Sequence, residues 1–207
     1  MPQPRSVKIG DDERGGWSSD RPRSGPARPP DISTRCRVLR PTDRMRYSPG
    51  SLLVVLSPSA AERDKFVERT IVERGVVLSL PRVRELLAGR VPDGEMDERA
   101  KELLTAAVRK RIDASDTVVL PMETIDPAER EPFVRMSATS RRPRHVILLD
   151  TGRDQAGEEE LAMLNELRKA LDAGDLGEEG FQTAMRLSGD TISEMKGIVF
   201  APPPAED

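Results

Sequence analysis

Cysteine is almost missing from this 207-residue chain. Cys36 stands alone, so no internal disulfide can form, and no C-x-x-C or Cys/His cluster is present to hold zinc. Histidine is equally scarce. With His145 as the single imidazole, a multi-histidine metal site is excluded, and its place at the head of an apolar run makes it a strand-edge residue. Aromatic residues make up only 3% of the chain, which leaves no stacking platform for nucleic-acid bases. There is no charged-then-apolar leader, and no apolar run reaches the roughly 18 residues of a membrane span. A cytoplasmic protein without a membrane partner is the expectation.

What is present fits one domain of ordinary size. A hydrophobic share of 36% supports a real but modest core, while 33% charged residues with a net charge of only −3 give no bulk attraction to nucleic acid. The charge is unevenly spread. Residues 1–47 carry eleven basic residues against six acidic ones, with many Pro, Gly and Ser and almost no apolar periodicity. Such a segment cannot bury enough surface to offset its ordering entropy, so it is read as a disordered tail that stability does not require. Its arginines are compatible with RNA, DNA or an acidic protein, or with a plain solvated linker. From residue 153 to the end, thirteen acids oppose five bases, an acidic counterpart to the tail that suits protein–protein contact. The domain is placed at 50–203, with a short terminal tail at 204–207.

Within that domain, strand-like and helix-like patterns alternate. Apolar runs at 52–57, 76–80, 117–122, 145–151 and 183–188 read as five strands. Helices are expected at 59–73, 82–88, 95–115, 127–140 and 158–173, the first capped by Ser59 and the third by Asp93. The third shows the clearest amphipathic stripe, on Ala100, Leu104, Val108 and Ile112. Alternation of this kind predicts an α/β fold: three layers, α/β/α, around a five-stranded, mainly parallel sheet.

The first strand, LLVVL, runs through a Ser57-Pro58-Ser59 turn into a helix. Strand, tight turn and helix are the context of a phosphate-binding loop, whose motif G-x-x-x-x-G-K-S/T supplies flexible backbone, a Lys for the outer phosphates and a hydroxyl for Mg²⁺. The eight positions here are Ser57, Pro58, Ser59, Ala60, Ala61, Glu62, Arg63 and Asp64. Both glycines are lost, Arg63 stands for the Lys, and Asp64 replaces the hydroxyl. Ser57, Ser59, Arg63 and Asp64 are the candidate cofactor-binding positions.

The order of these elements, with the strings LLVVLSPS, VVLSLPRVRELLAG, TVVLPMETIDPAER, HVILLD and EEGFQTAMRL, resembles the P-loop kinase group of polynucleotide 5′-kinases and zeta-toxin-like, AAA-labelled kinases, with a degenerate Walker A motif. The resemblance implies a P-loop NTPase-like fold and a phosphoryl-transfer ancestry. In such kinases VxSxDxxRxxL follows the second strand. Its Arg corresponds to Arg84, and its Asp, the general base, corresponds to Pro81. The pattern VVDATNxxPxxR corresponds to 118–130, with Pro127 and Arg130 matched, Pro121 in place of the Asp and Thr124 in place of the Asn. Arg84 and Arg130 are therefore the candidate substrate-binding residues. The lid arginines correspond to 152–160, which holds four acids against the single Arg153, acidic where a cation is wanted.

Three functional readings are open. One is a degenerate kinase-like protein that acts by binding a protein partner, with no cofactor. A second is an ATP- and Mg²⁺-dependent polynucleotide or nucleoside-type kinase with a displaced site on Arg63, Asp64, Lys65, Arg84 and Arg130, in which Asp64 is a suitable hard ligand for Mg²⁺. The third is an unrelated α/β scaffold with its function in the tails. Plain structural roles stand beside these: a solvated first helical turn for 62–65, surface ion pairs for Arg84 and Arg130, and strand termination by Pro81 and Pro121.

Overall fold

The structure, a computed structural model, describes residues 30–151 and 158–203. The chain separates into two units, Met1–Asp31 and Ile32–Asp207, of which the second holds the sheets and helices. Most of the 1–47 segment (1–29), most of the lid stretch (152–157) and the 204–207 tail lie outside the described residues.

Among the described residues seven strands form two sheets: β1 (Arg37–Leu39), β2 (Arg44–Tyr47), β3 (Leu52–Leu56), β4 (Val118–Pro121), β5 (Arg144–Asp150), β6 (Thr183–Ser188) and β7 (Gly197–Phe200). The main sheet has five strands in the order β1-β6-β5-β3-β4, every pair parallel. β2 and β7 make a separate parallel pair. In the same described residues six helices connect or flank them: α1 (Ala60–Thr70), α2 (Leu80–Leu87), α3 (Met96–Asp113), α4 (Pro127–Thr139), α5 (Glu158–Ala173) and α6 (Asp190–Glu194). The α/β class and the five-stranded parallel sheet are as the sequence predicts.

β3 lies between β5 and β4, and all five of its residues are buried because both faces of the sheet are covered. Alternation divides its side chains. Leu52, Val54 and Leu56 pack with α2, α3, α4 and α5 through residues such as Val83, Leu104, Phe133 and Leu167. Leu53 and Val55 face Phe66 and Val67 of α1 together with Tyr47, Met195 and Ile198. One outer layer is thus four helices, and the other is α1 with the β2–β7 pair.

Three expectations are corrected. The fifth strand of the sheet is not 76–80: Arg74–Val76 is a short 3-10 turn, Val77 makes an isolated bridge to Val119, and α2 begins at Leu80. Pro81 therefore sits in the first turn of α2, where its missing N–H costs nothing, rather than ending a strand. The fifth strand comes instead from the segment read as a disordered tail. β1 pairs with β6, β2 with β7, and Thr34 N–H donates to the Gly177 carbonyl at 2.9 Å, so the folded unit starts at Ile32 rather than Gly50. Finally, Asp93 opens a 3-10 turn (Asp93–Glu95), and α3 begins only at Met96.

Candidate functional site

Open parallel sheets place ligands beyond the carboxyl ends of their strands. At the end of β3 the chain turns through 57–59 into α1. Ser57 is buried, and its Oγ accepts from Ser59 N–H at 3.1 Å. Ser59 is the N-cap of α1, its Oγ accepting from Glu62 N–H at 3.4 Å. Two amides at the turn are therefore held by the protein's own hydroxyls.

Arg63 is 1% exposed, among the most buried large side chains of the chain. Its Nη1 donates to the Met122 carbonyl at 2.5 Å, and its Nε donates to Asp64 Oδ1 at 2.8 Å, with Nη2 also 2.8 Å from that oxygen. The guanidinium thus braces the first turn of α1 against the chain leaving β4. Asp64, whose side chain is 55% exposed, is its counter-ion.

Beyond the end of β4 lies a cavity of about 430 Å³ between α2, α3 and α4. Leu80, Leu104, Met122 and Phe133 give it apolar walls, and Pro121, the last residue of β4, stands at its edge. Arg84 lines it and bridges two carboxylates, donating to Asp97 at 2.8 Å and to Glu123 at 2.6 Å. Lys101 pairs with Glu129 at 3.2 Å. Each cation on the rim has a carboxylate partner.

Arg130 does not line that cavity. It is 2% exposed and forks onto Glu179, with Nε and Nη2 each 2.7 Å from a carboxylate oxygen, while Nη1 donates to the Ile125 carbonyl at 2.6 Å. Rather than a surface ion pair, it ties α4 to the loop before β6. Of the two candidate substrate-binding residues, the structure brings only Arg84 to the cavity.

Sequence reasoning passed over Asp150. It ends β5, is 7% exposed, and is clamped by Arg168 of α5 and Arg186 of β6; Arg168 Nε and Arg186 Nε each donate at 2.9 Å. Burial alone would raise its pKa, but the two guanidiniums outweigh that and hold it below the ordinary carboxylate value. A signal existed: an apolar strand that stops on a carboxylate at the ligand end of a parallel sheet. A second cavity, about 450 Å³, lies there, with Glu62, Lys65 and Arg69 of α1 on one side and Asp150, Gly189 and Ser193 on the other.

Among the described residues no group of three or more His, Cys, Asp or Glu side chains gathers as a metal site, and no helix is long and apolar enough to cross a membrane. No family model matches the chain. No curated protein matches it either. Among solved structures it is similar to the tunicamycin resistance protein of Deinococcus radiodurans, at 16% identity over 74% of this chain and 99% of that one, with a TM-score of 0.36. A likeness that slight transfers no activity.

Proposed function

We propose that this chain is a catalytically degenerate, kinase-like protein that works by binding a protein partner rather than by transferring phosphate. The observation that carries the reading is Arg63. In a working loop the cation at this position faces the outer phosphates; here its donors are taken up by the protein itself, by the Met122 carbonyl and the Asp64 carboxylate. Neighbouring residues add to it. Glu62 brings negative charge beside any bound phosphate, where two unit charges 4 Å apart interact by about 4 kcal/mol at an effective dielectric of 20. Pro81 and Pro121 hold both positions where the resembled kinases carry a carboxylate, and proline accepts no proton. Losing one such contributor typically costs about 10²–10³ in rate, and here several are lost together. The apolar cavity beside β4, rimmed by Arg84, Asp97, Glu123, Lys101 and Glu129, is the surface we assign to the partner, which would insert an apolar side chain there.

The test is label transfer from ATP–Mg²⁺ to 5′-hydroxyl DNA, RNA and nucleosides by the full chain. No transfer above background is expected, and restoring a Gly-rich loop alone should not create it, because base and strand-end carboxylate are still missing. Robust transfer that disappears in Lys65→Ala, a residue of the second cavity, would overturn the reading in favour of a displaced-site kinase.

A further inference from the structure

A third cavity, of about 230 Å³, shares α2 and α3 with the cavity beside β4 but none of its lining residues, and is lined by three arginines from three separate elements: Arg74 of the 3-10 turn, Arg82 of α2 and Arg111 of α3. No carboxylate lines it. Among the described residues none of the three side chains has an ion pair or a hydrogen bond, which they share with exposed arginines such as Arg90 and Arg109; what sets them apart is that they line one cavity together. Glu73, Glu85 and Asp113 lie close in sequence but do not line the groove. Arg111 is partly buried while Arg74 and Arg82 are exposed, so one of these unpaired charges is partly removed from water. The floor is apolar, from Val77, Leu78 and Val83, and Leu86, 60% exposed, forms part of the wall.

We propose that this groove binds a small phosphate monoester, with the phosphoryl group held by Arg74, Arg82 and Arg111 and the organic part resting on Leu78 and Leu86. Guanidinium groups match phosphate oxygens in a two-pronged geometry, and three of one sign with no internal counter-ion leave a charge that a dianion neutralises. The apolar floor explains why an ester suits the site better than free phosphate. At this size the groove takes a phosphoryl group and a small substituent rather than a nucleic-acid duplex. The site shares no lining residue with the loop at 57–64 or with the cavity beside β4, although α2 and α3 contribute to both cavities.

The experiment is an NMR titration of the ¹⁵N-labelled full chain with phenyl phosphate, with inorganic phosphate, and with sodium chloride at matched ionic strength. Saturable shifts at 74–79 and 82–86 are expected with phenyl phosphate, at concentrations at least fivefold below those inorganic phosphate needs. Arg82→Gln and Arg111→Gln should each weaken binding about tenfold, while Arg109→Gln, on α3 but outside the groove, should not. Shifts that chloride reproduces, affinities untouched by the two variants, or a response confined to 57–65 would overturn the site. Equal affinity for the two phosphates would overturn its assignment to an ester.

Discussion

Two candidate arginines, Arg63 read as a cofactor-binding position and Arg84 as a substrate-binding one, differ in their surroundings. Arg63 is enclosed and holds the Met122 backbone carbonyl, whereas the Arg84 side chain is 31% exposed and bridges surface carboxylates. Arg63→Met should therefore cost about 2–4 kcal/mol, since it takes that donor from a buried carbonyl, and Arg63→Lys about half of that, because one ammonium cannot reproduce the fork. Arg84→Ala should stay within about 1 kcal/mol. Urea unfolding of the three variants checks the order; an Arg63→Met protein as stable as the parent would remove the bracing role.

His145 supplies a pH dependence. Burial, and then the nearby Arg144 guanidinium, push its pKa down from 6.5 to about 4. Its Nδ1 lies 2.8 Å from Thr183 Oγ1, and its ring centroid is 4.4 Å from that of Tyr47. The folded state thus resists a proton that the unfolded chain accepts, so stability rises with pH between about 4 and 6.5 and is lost as pH falls through that window. The loss amounts to up to about 3 kcal/mol by pH 4. His145→Gln should flatten this part of the profile. Asp150, with its folded pKa depressed, acts lower: its contribution is present above the unfolded carboxylate pKa of about 3.9 and disappears as pH falls through the folded one.

At the level of elements, the N-terminal strands govern what can be removed. β1 forms an edge of the main sheet and β2 pairs in parallel with β7, with Tyr47 only 4% exposed. Deleting residues 1–45, read from sequence as harmless, should lower the thermal midpoint by about 5–15 °C, from a loss of a few kcal/mol at about 2–4 °C each. A shift under about 3 °C would mean that these strands contribute nothing. A finer test is Gly177. A Cβ there would lie 2.0 Å from the Thr34 carbonyl oxygen, so Gly177→Ala should force the 34–36 segment away and destabilise the fold by about 1–3 kcal/mol. If alanine is tolerated, the close approach of that segment is not required.

For the molecule as a unit, nucleotide binding has a global readout, because a ligand held only by the folded state stabilises it by about 2.7 kcal/mol at a hundred times its Kd. In a domain of this size that is a shift of about 5–10 °C. With millimolar ATP–Mg²⁺ the midpoint is expected to move by less than about 1 °C. A shift of several degrees would restore nucleotide as a candidate ligand.

The α/β class, four of the main sheet's five strands and the long helices are legible in the residues alone, because each is a run with one clear period: LLVVL and HVILLD for buried parallel strands, and Ala100, Leu104, Val108 and Ile112 for one helix face. The turn from β3 into α1 is legible too, since strand, turn and cap adjoin in sequence. The two N-terminal strands are hidden, because RVL and RMRY are short and interleaved with arginine, and only pairing with β6 and β7 makes them strands. In the opposite direction, 76–80 is apolar enough for a strand, yet it makes a single bridge and gives way to α2. What each arginine faces emerges only in three dimensions. Arg63, Arg84 and Arg130 are alike as letters, but Met122, Glu123 and Glu179 reach them from 59, 39 and 49 residues away, and such partners are set by packing, not by neighbouring sequence.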